Sequence, residues 1–299
     1  LISMKKTLFL ADPEKLKHRI QEEKKRRPKY EPFLDFWDKL LSIQAEFMAR
    51  HSGKTVVLTD PVKHLKLKEG FPFFSFKNYQ VKPAPFRELF QDILAGISTA
   101  NPKMAEQRPL IEKWLAGEGR TLDHWLALLF QEDGQPFIRA AESCGLDPEI
   151  LLFLFLAAWK PFLRGQALAL TRDPELDWAT WSKSYCPVCG GMPLLAYLEE
   201  GGKRFGTCSL CEFTWALPRF VCPYCENTDQ QKFRYFFSEK EKGLRLEVCE
   251  ACRHYLKIID LREWLVDPLP LLDDLVTTHL DLWARNKGYR RIPLSDRLV

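Results

Sequence analysis

At 299 residues, 46% hydrophobic and 28% charged, the chain has the make-up of an ordinary globular protein, with room for two domains and a sizeable core. A net charge of +4 makes no argument for nucleic acid. Nine cysteines would suit a secreted disulfide framework, but eight of them fall in regular Cys-x-x-Cys pairs, which in a reducing compartment means thiolates and metal.

Met4-Lys5-Lys6 and Thr7-Leu8-Phe9-Leu10 look like the opening of a secretory signal, but the apolar stretch stops at Asp12, too early for an export core. Asp12-Pro13-Glu14 supplies an N-cap and a proline at the first helical position, so a helix is expected to about Arg27, before Pro28. The basic run Lys24, Lys25, Arg26, Arg27 and Lys29 reads as a solvated helix end. Glu31 to about Arg50 is a second helix, with Phe33, Phe36, Trp37, Leu40, Leu41, Ala45 and Met48 on one face. Phe71 to Phe76, with Tyr79 and prolines up to Pro85, form an aromatic loop whose rings are expected to plug a helical bundle from outside; the alternative is an apolar surface for a partner. Helices follow at Pro85 to about Ile97, Pro102 to about Leu115 and Thr121 to about Phe130. Cys144 reads as a small buried hydrophobe. Asp147-Pro148-Glu149 opens a helix that carries the apolar run Ile150 to Trp159, and Pro161 is expected to kink or end it. That run is half of the roughly 20 residues needed to cross a bilayer, so it reads as a buried helix in a cytoplasmic protein.

Residues 183–260 are an internal repeat. The first copy runs Cys186-Pro187-Val188-Cys189, a strand, a turn at Gly201-Gly202, a strand, then Cys208-Ser209-Leu210-Cys211. The second runs Cys222-Pro223-Tyr224-Cys225, a strand, a turn ending in Gly243, a strand, then Cys249-Glu250-Ala251-Cys252. An arginine stands four residues before each closing pair (Arg204, Arg245), and one more apolar strand follows each copy. Two cysteines separated by two residues share one tight turn, and a hairpin brings a second such turn opposite, which makes a tetrahedral thiolate cage. All eight cysteines are therefore expected to ligate, as two sites, with pairing inside each repeat preferred over pairing between repeats. Zinc is the first choice and iron the second. Gly190 suits a rubredoxin-type knuckle, whose next position favours a left-handed backbone, and Glu212, Glu226 and Arg253 occupy the corresponding places elsewhere. Four thiolates leave no open coordination position, and no Ser-His-Asp set, phosphate loop or paired carboxylates stand out, so no enzyme is expected. After Asp260, helical spacing returns with Leu272, Leu275, Val276, His279 and Trp283 on one face and Gly288 closing the helix.

Cys-Pro-Val-Cys-Gly at 186–190, Cys-x-Leu-Cys-Glu at 208–212 with Trp215 and Arg219, and Cys-x-x-Cys-x-x-Tyr-Leu-Lys at 249–257 resemble the FdhE family of formate dehydrogenase accessory proteins. Asp273-Asp274-Leu275, Leu280-Asp281 and Gly288-Tyr289 agree with it, as do Gly145-x-Asp147-Pro148 and Pro161-Phe162-Leu163, whereas the family's Asn-Pro near the end is replaced by Arg291-Ile292-Pro293-Leu294. The resemblance implies an α+β protein: a mostly helical N-terminal domain (1–182), two tandem rubredoxin-like or zinc-ribbon subdomains (183–260), and a C-terminal helix and tail docking back (261–299). It also implies a maturation factor for the catalytic subunit of a molybdenum- or tungsten-dependent formate dehydrogenase. Trp215, Arg219, Asp273 and Asp274 are the candidates for exposed partner-binding residues; the alternative is that Arg219 and one aspartate pair to lock the last helix onto the metal region. A rubredoxin-like iron electron carrier and a tandem zinc-ribbon nucleic-acid module are the competing functions. Glu199, Glu200, Glu212, Glu226, Glu239 and Glu241 offset the basic residues and count against the latter.

Overall fold

The protein is described from a computed structural model, which covers residues 13–51, 62–74, 82–117, 122–129, 135–237, 239, 241–264 and 266–292. The described residues divide into two compact units, those within 13–51 and 82–165, and those within 62–74 and 166–292.

The first unit is helical: α1 (Pro13–Arg26), α2 (Glu31–Arg50), then, beyond α3, α4 (Pro83–Ile97), α5 (Pro102–Ala116), α6 (Leu122–Leu129), α7 (Gln135–Ser143) and the first part of α8 (Pro148–Thr171). Proline at the first turn of α1, α4, α5 and α8 costs no hydrogen bond there and presets φ for a helix. The core is aromatic. Phe86, Phe90, Trp114, Trp125, Phe137 and Phe155 meet with ring centroids 5.0–6.4 Å apart, mostly edge to face or tilted, as aromatic quadrupoles prefer.

α8 departs from expectation at Pro161, because the helix continues through it for ten more residues. A proline in a helix interior strips the carbonyl four residues back of its donor. Here that carbonyl is Ala157 O, and the Gln44 side-chain amide donates to it at 2.7 Å. Gln44 is itself buried, and its carbonyl accepts from Arg164 Nη1 at 3.3 Å. A side chain from α2 thus supplies the hydrogen bond that the proline removes. By length and composition α8 would pass as a membrane span, but 67% of its apolar window is buried inside the protein, as in a core helix.

The second unit is built on one six-stranded sheet: β1 (Pro193–Leu198), β2 (Arg204–Cys208), β3 (Thr214–Ala216), β4 (Phe233–Phe237), β5 (Leu244–Cys249) and β6 (Tyr255–Asp260), in the order β3-β2-β1-β6-β5-β4. Each sequence repeat makes an antiparallel three-stranded meander. The two meanders join where β1 of the first lies parallel to β6 of the second, with Tyr197 opposite Ile259. The expected tandem subdomains are therefore continuous through one sheet.

α9 (Pro270–Val276) and α10 (Thr278–Asn286) cover one face of this sheet, over Leu195, Tyr197, Leu244, Leu246, Val248, Tyr255 and Ile259. The expected single C-terminal helix is broken at Thr277. Its hydroxyl donates to Asp273 O at 2.7 Å, and Lys257 Nζ donates to Asp274 O at 2.8 Å, so the last carbonyls of α9 are satisfied without a further helical turn. Gly288 (φ 79°) ends α10 as read from the sequence.

α3 (Lys63–Glu69) and the segment after it also belong to this unit. Phe73 and Phe74 do not plug the helical bundle; their backbone amides donate to Pro187 O (2.9 Å) and Val188 O (3.1 Å), inside the first Cys-x-x-Cys turn. Tyr185 Oη donates to Gly70 O at 2.6 Å, and the Phe73 ring meets Trp178, which in turn packs at a tilt against Phe213. This strap closes over the first knuckle. The rest of the aromatic loop, with Tyr79, lies outside the described residues.

Candidate metal centres

Four turns carry the cysteines, and all four are built alike. In each, the amide of the first cysteine donates to the carbonyl five residues on: Cys186 to Gly191 (2.8 Å), Cys208 to Phe213 (2.8 Å), Cys222 to Asn227 (2.9 Å) and Cys249 to His254 (2.9 Å). Closing so tight a loop needs a left-handed residue after the second cysteine. Gly190, Glu212, Glu226 and Arg253 sit there with φ of 73°, 59°, 56° and 61°. Three of the four positions accept a side chain in a conformation that costs about 1–2 kcal/mol outside glycine, so the surrounding geometry enforces the turn.

The turns converge in pairs. Cys186, Cys189, Cys208 and Cys211 form one group, and Cys222, Cys225, Cys249 and Cys252 a second, with all sulfurs of a group within 4.8 Å of one another. In the first, Cys189 Sγ lies 3.5 Å from both Cys208 and Cys211, and Cys186 lies 3.6 Å from Cys211. In the second, Cys222 and Cys252 are 3.7 Å apart and Cys225 and Cys249 3.8 Å. A disulfide would require about 2.05 Å. A tetrahedron with metal–sulfur bonds of about 2.3 Å has an edge of about 3.8 Å, and the observed separations fit that edge. These two clusters could each hold one metal ion.

Burying four thiols together is costly, and their protonation reflects it. Burial pushes the Cys186, Cys189 and Cys211 thiols up. At Cys208 burial opposes ionisation too, but hydrogen bonds from Cys186, Cys189, Cys211 and the Leu210 amide outweigh it and hold the thiol well down. In the second group the Cys222 hydrogen bond is the main cause pulling Cys252 down to about 4, whereas burial raises Cys225 to about 11. A divalent cation relieves this competition by replacing the shared protons.

The two centres share one end of the sheet, because each lies at the start of its meander and β1 runs parallel to β6. They differ in cover. All four sulfur residues of the first are buried, beneath the Phe73–Phe74 strap. In the second Cys225 is exposed and Cys252 partly so.

The remaining candidates scatter. Trp215 is 1% exposed, and its indole N–H donates to Lys183 O at 3.3 Å. Asp273 is fully buried and accepts from Tyr197 Oη and the Leu269 amide, both at 2.8 Å. Asp274 is buried against Lys257 Nζ (2.6 Å) and the Arg291 guanidinium. Burial works against the Asp274 carboxylate, but the charges of Arg291 and Lys257 outweigh it and keep its pKa below the usual range. These three residues are buried and present no open surface, and the two aspartates hold α9 on the sheet. The aspartates lock the helix, as the alternative reading had it, but through Tyr197, Lys257 and Arg291 rather than Arg219. Arg219 is exposed. Sequence reasoning missed the Lys257–Asp274–Asp281–Arg291 network, in which Lys257 also meets Asp281 at 2.8 Å; the adjacent aspartates and a lysine in an apolar strand were its only signal.

Comparison with known proteins places this site in context. Residues 185–219 match the family described as "FdhE, central domain", and residues 220–296 match "FdhE, C-terminal domain". The chain is 26% identical over 282 residues to a "Protein FdhE homolog" of Aquifex aeolicus, covering 92% of this chain and 91% of that protein. It is 32% identical over 216 residues to "Protein FdhE" of Escherichia coli, covering 68% of this chain and 63% of that one. The crystal structure of the FdhE protein from Pseudomonas aeruginosa superposes with a TM-score of 0.63 at 21% identity, covering 95% of this chain and 94% of that one, which is a likeness of fold.

Proposed function

The chain belongs to the FdhE family, and from that premise we propose that it is a cytoplasmic accessory factor that binds the catalytic subunit of a molybdenum- or tungsten-dependent formate dehydrogenase and supports its activation. The observation that carries this reading is the pair of four-sulfur clusters at one end of a single sheet, in the region that the FdhE domains match. Cys186, Cys189, Cys208 and Cys211 hold one ion, and Cys222, Cys225, Cys249 and Cys252 the other; zinc is the first choice and iron the second. With four thiolates on each ion no position remains for water or substrate, so the ions serve the fold and the protein is a binding factor rather than an enzyme. Among the four partner-binding candidates, only Arg219 has the exposure that recognition requires.

One observation favours a second reading. Cys225 is exposed, which would bring an iron at the second centre close enough to solvent for electron transfer to a docked partner. Iron there would show a coloured oxidised state that bleaches reversibly on reduction; a colourless protein with two zinc ions removes this reading.

The test is a pull-down with the tagged full chain from cells expressing a formate dehydrogenase, with metal analysis of the same eluate. The expected result is the catalytic subunit together with two metal ions per chain. Its absence at near-native salt would overturn the proposal.

A further inference from the structure

The sheet face opposite α9 and α10 holds a second constellation. Arg204, Arg219, Arg245 and Arg262 line an open cleft of about 350 Å³ with Glu247, Phe220, Tyr235 and Gly202. In-register pairing explains why they meet: Glu247 lies opposite Tyr235, and Arg245 opposite Ile258, on the face that Leu244, Leu246 and Lys257 turn away from. The two arginines that recur in the sequence repeat thus end in one place, at the sheet end opposite the cysteines.

The charges do not balance. Both Glu247 oxygens accept from Arg204 Nη1, at 2.8 and 3.0 Å, and the Asp260 carboxylate is shared between Arg262 and Arg245. Among the described residues no carboxylate pairs with Arg219, whose guanidinium lies 5.4 Å from the Phe220 ring centroid. Four guanidiniums pair with only two carboxylates, and even with the charge of Glu263 acting on Arg262 the cleft keeps a net positive charge. Arg204 is 6% exposed, and its Nε has no hydrogen-bond partner, so the cleft floor retains an unused donor. Arg219 is also seated deliberately: a Cβ on Gly202 (φ 69°) would stand 2.6 Å from its Nη2.

Phe220 adds an independent sign. It is the one non-glycine residue with positive φ (44°) outside the cysteine turns among the described residues, and its ring is 51% exposed. A strained backbone that yields little burial is characteristic of a binding position. Tyr235, also 51% exposed, lines the same cleft.

We propose that this cleft binds a small phosphate ester carrying a planar ring, a nucleotide-like ligand. A tetrahedral phosphate anion matches the net positive charge and accepts from guanidiniums arriving from different elements, whereas a carboxylate accepts in one plane. Phe220 and Tyr235 supply apolar faces for the ring. The volume lies at the small-molecule end of binding sites.

The experiment is equilibrium dialysis of the metal-loaded full chain with adenosine monophosphate, adenosine, inorganic phosphate and a glutamate-rich peptide. The nucleotide binds saturably, and adenosine or phosphate alone binds about tenfold more weakly or worse. Arg219→Ala, which breaks no ion pair, weakens nucleotide binding by about tenfold or more. Phe220→Gly weakens binding while raising the unfolding midpoint, a combination that a merely structural residue would not give. Absence of saturable nucleotide binding, phosphate binding as tight as the nucleotide, unchanged binding by Arg219→Ala, or capture of the acidic peptide in preference to the nucleotide would each overturn the assignment.

Discussion

Replacing Asp274 by alanine separates a partner surface from a structural lock. In the folded protein Lys257 (2% exposed) and Arg291 are neutralised by Asp274 and Asp281, with Lys257 Nζ 2.6 Å and 2.8 Å from the two carboxylates. Asp274→Ala leaves buried Lys257 and partly buried Arg291 facing one carboxylate, and an uncompensated buried charge costs about 3–5 kcal/mol. Set against a typical total of about 5–15 kcal/mol, that is a large loss. The double variant Lys257→Met with Asp274→Leu keeps the pair Arg291–Asp281 balanced and should cost less than half as much, despite removing more charge. Urea unfolding of the metal-loaded protein at pH 7, followed by far-ultraviolet circular dichroism, measures both. Metal content in the folded fraction should stay at two per chain. A destabilisation of Asp274→Ala below about 1 kcal/mol, the range of surface changes, together with lost capture of the formate dehydrogenase subunit, would refute the reasoning and return Asp274 to the binding surface.

Gln44→Ala strands the Ala157 carbonyl that Pro161 deprived of its helical donor, and thermal unfolding should show a loss of about 1–3 kcal/mol; Pro161→Ala in the same background restores the helical donor and should recover most of it. Titration with a colorimetric chelator should release one metal equivalent from the native protein, from the cluster containing exposed Cys225, and the second only with denaturant; simultaneous release would contradict the difference in cover. The Asp274 pKa is lowered by folding, so its contribution is present above the unfolded value near 3.9 and is lost as pH falls through the folded one. The stability gap between the native chain and the Lys257→Met/Asp274→Leu variant should therefore change little from pH 8 to about 5 and shift below about 4, as read by urea midpoints at each pH.

What could be read from the sequence was what local chemistry dictates. Cysteines at i and i+3 with a following left-handed position specify a knuckle wherever they occur, so all four turns, their grouping within each repeat and the six strands were visible. So were α1 and α2, whose prolines and apolar spacing act over a few residues. The join between repeats was not, because β1 and β6 meet through backbone groups that every residue possesses. The course of α8 through Pro161 depends on a glutamine in another helix, and the fate of Phe73 and Phe74 on two carbonyls in a distant turn. Asp273 and Asp274 read as exposed because burying a charge without a partner is expensive, and Trp215 because it matches the family pattern; their partners, Lys183 O, Tyr197, Lys257 and Arg291, come from segments that no local pattern connects to them. Arg291, where the sequence departs from the family's ending, turns out to hold α9 and α10.

The strap over the first knuckle imposes an order in time. Phe73 and Phe74 are synthesised long before Cys186, yet their amides reach their acceptors only after Pro187 and Val188 have taken up the knuckle turn. An ion held by the first cluster, whose four cysteines are all buried, would therefore be enclosed once the strap settles. Among the described residues the second cluster carries no such latch. An ion in the first cluster would thus be enclosed as folding ends, and one in the second, beside exposed Cys225, would stay open to exchange, so a single chain could combine a permanent fastening with one that reports on metal supply.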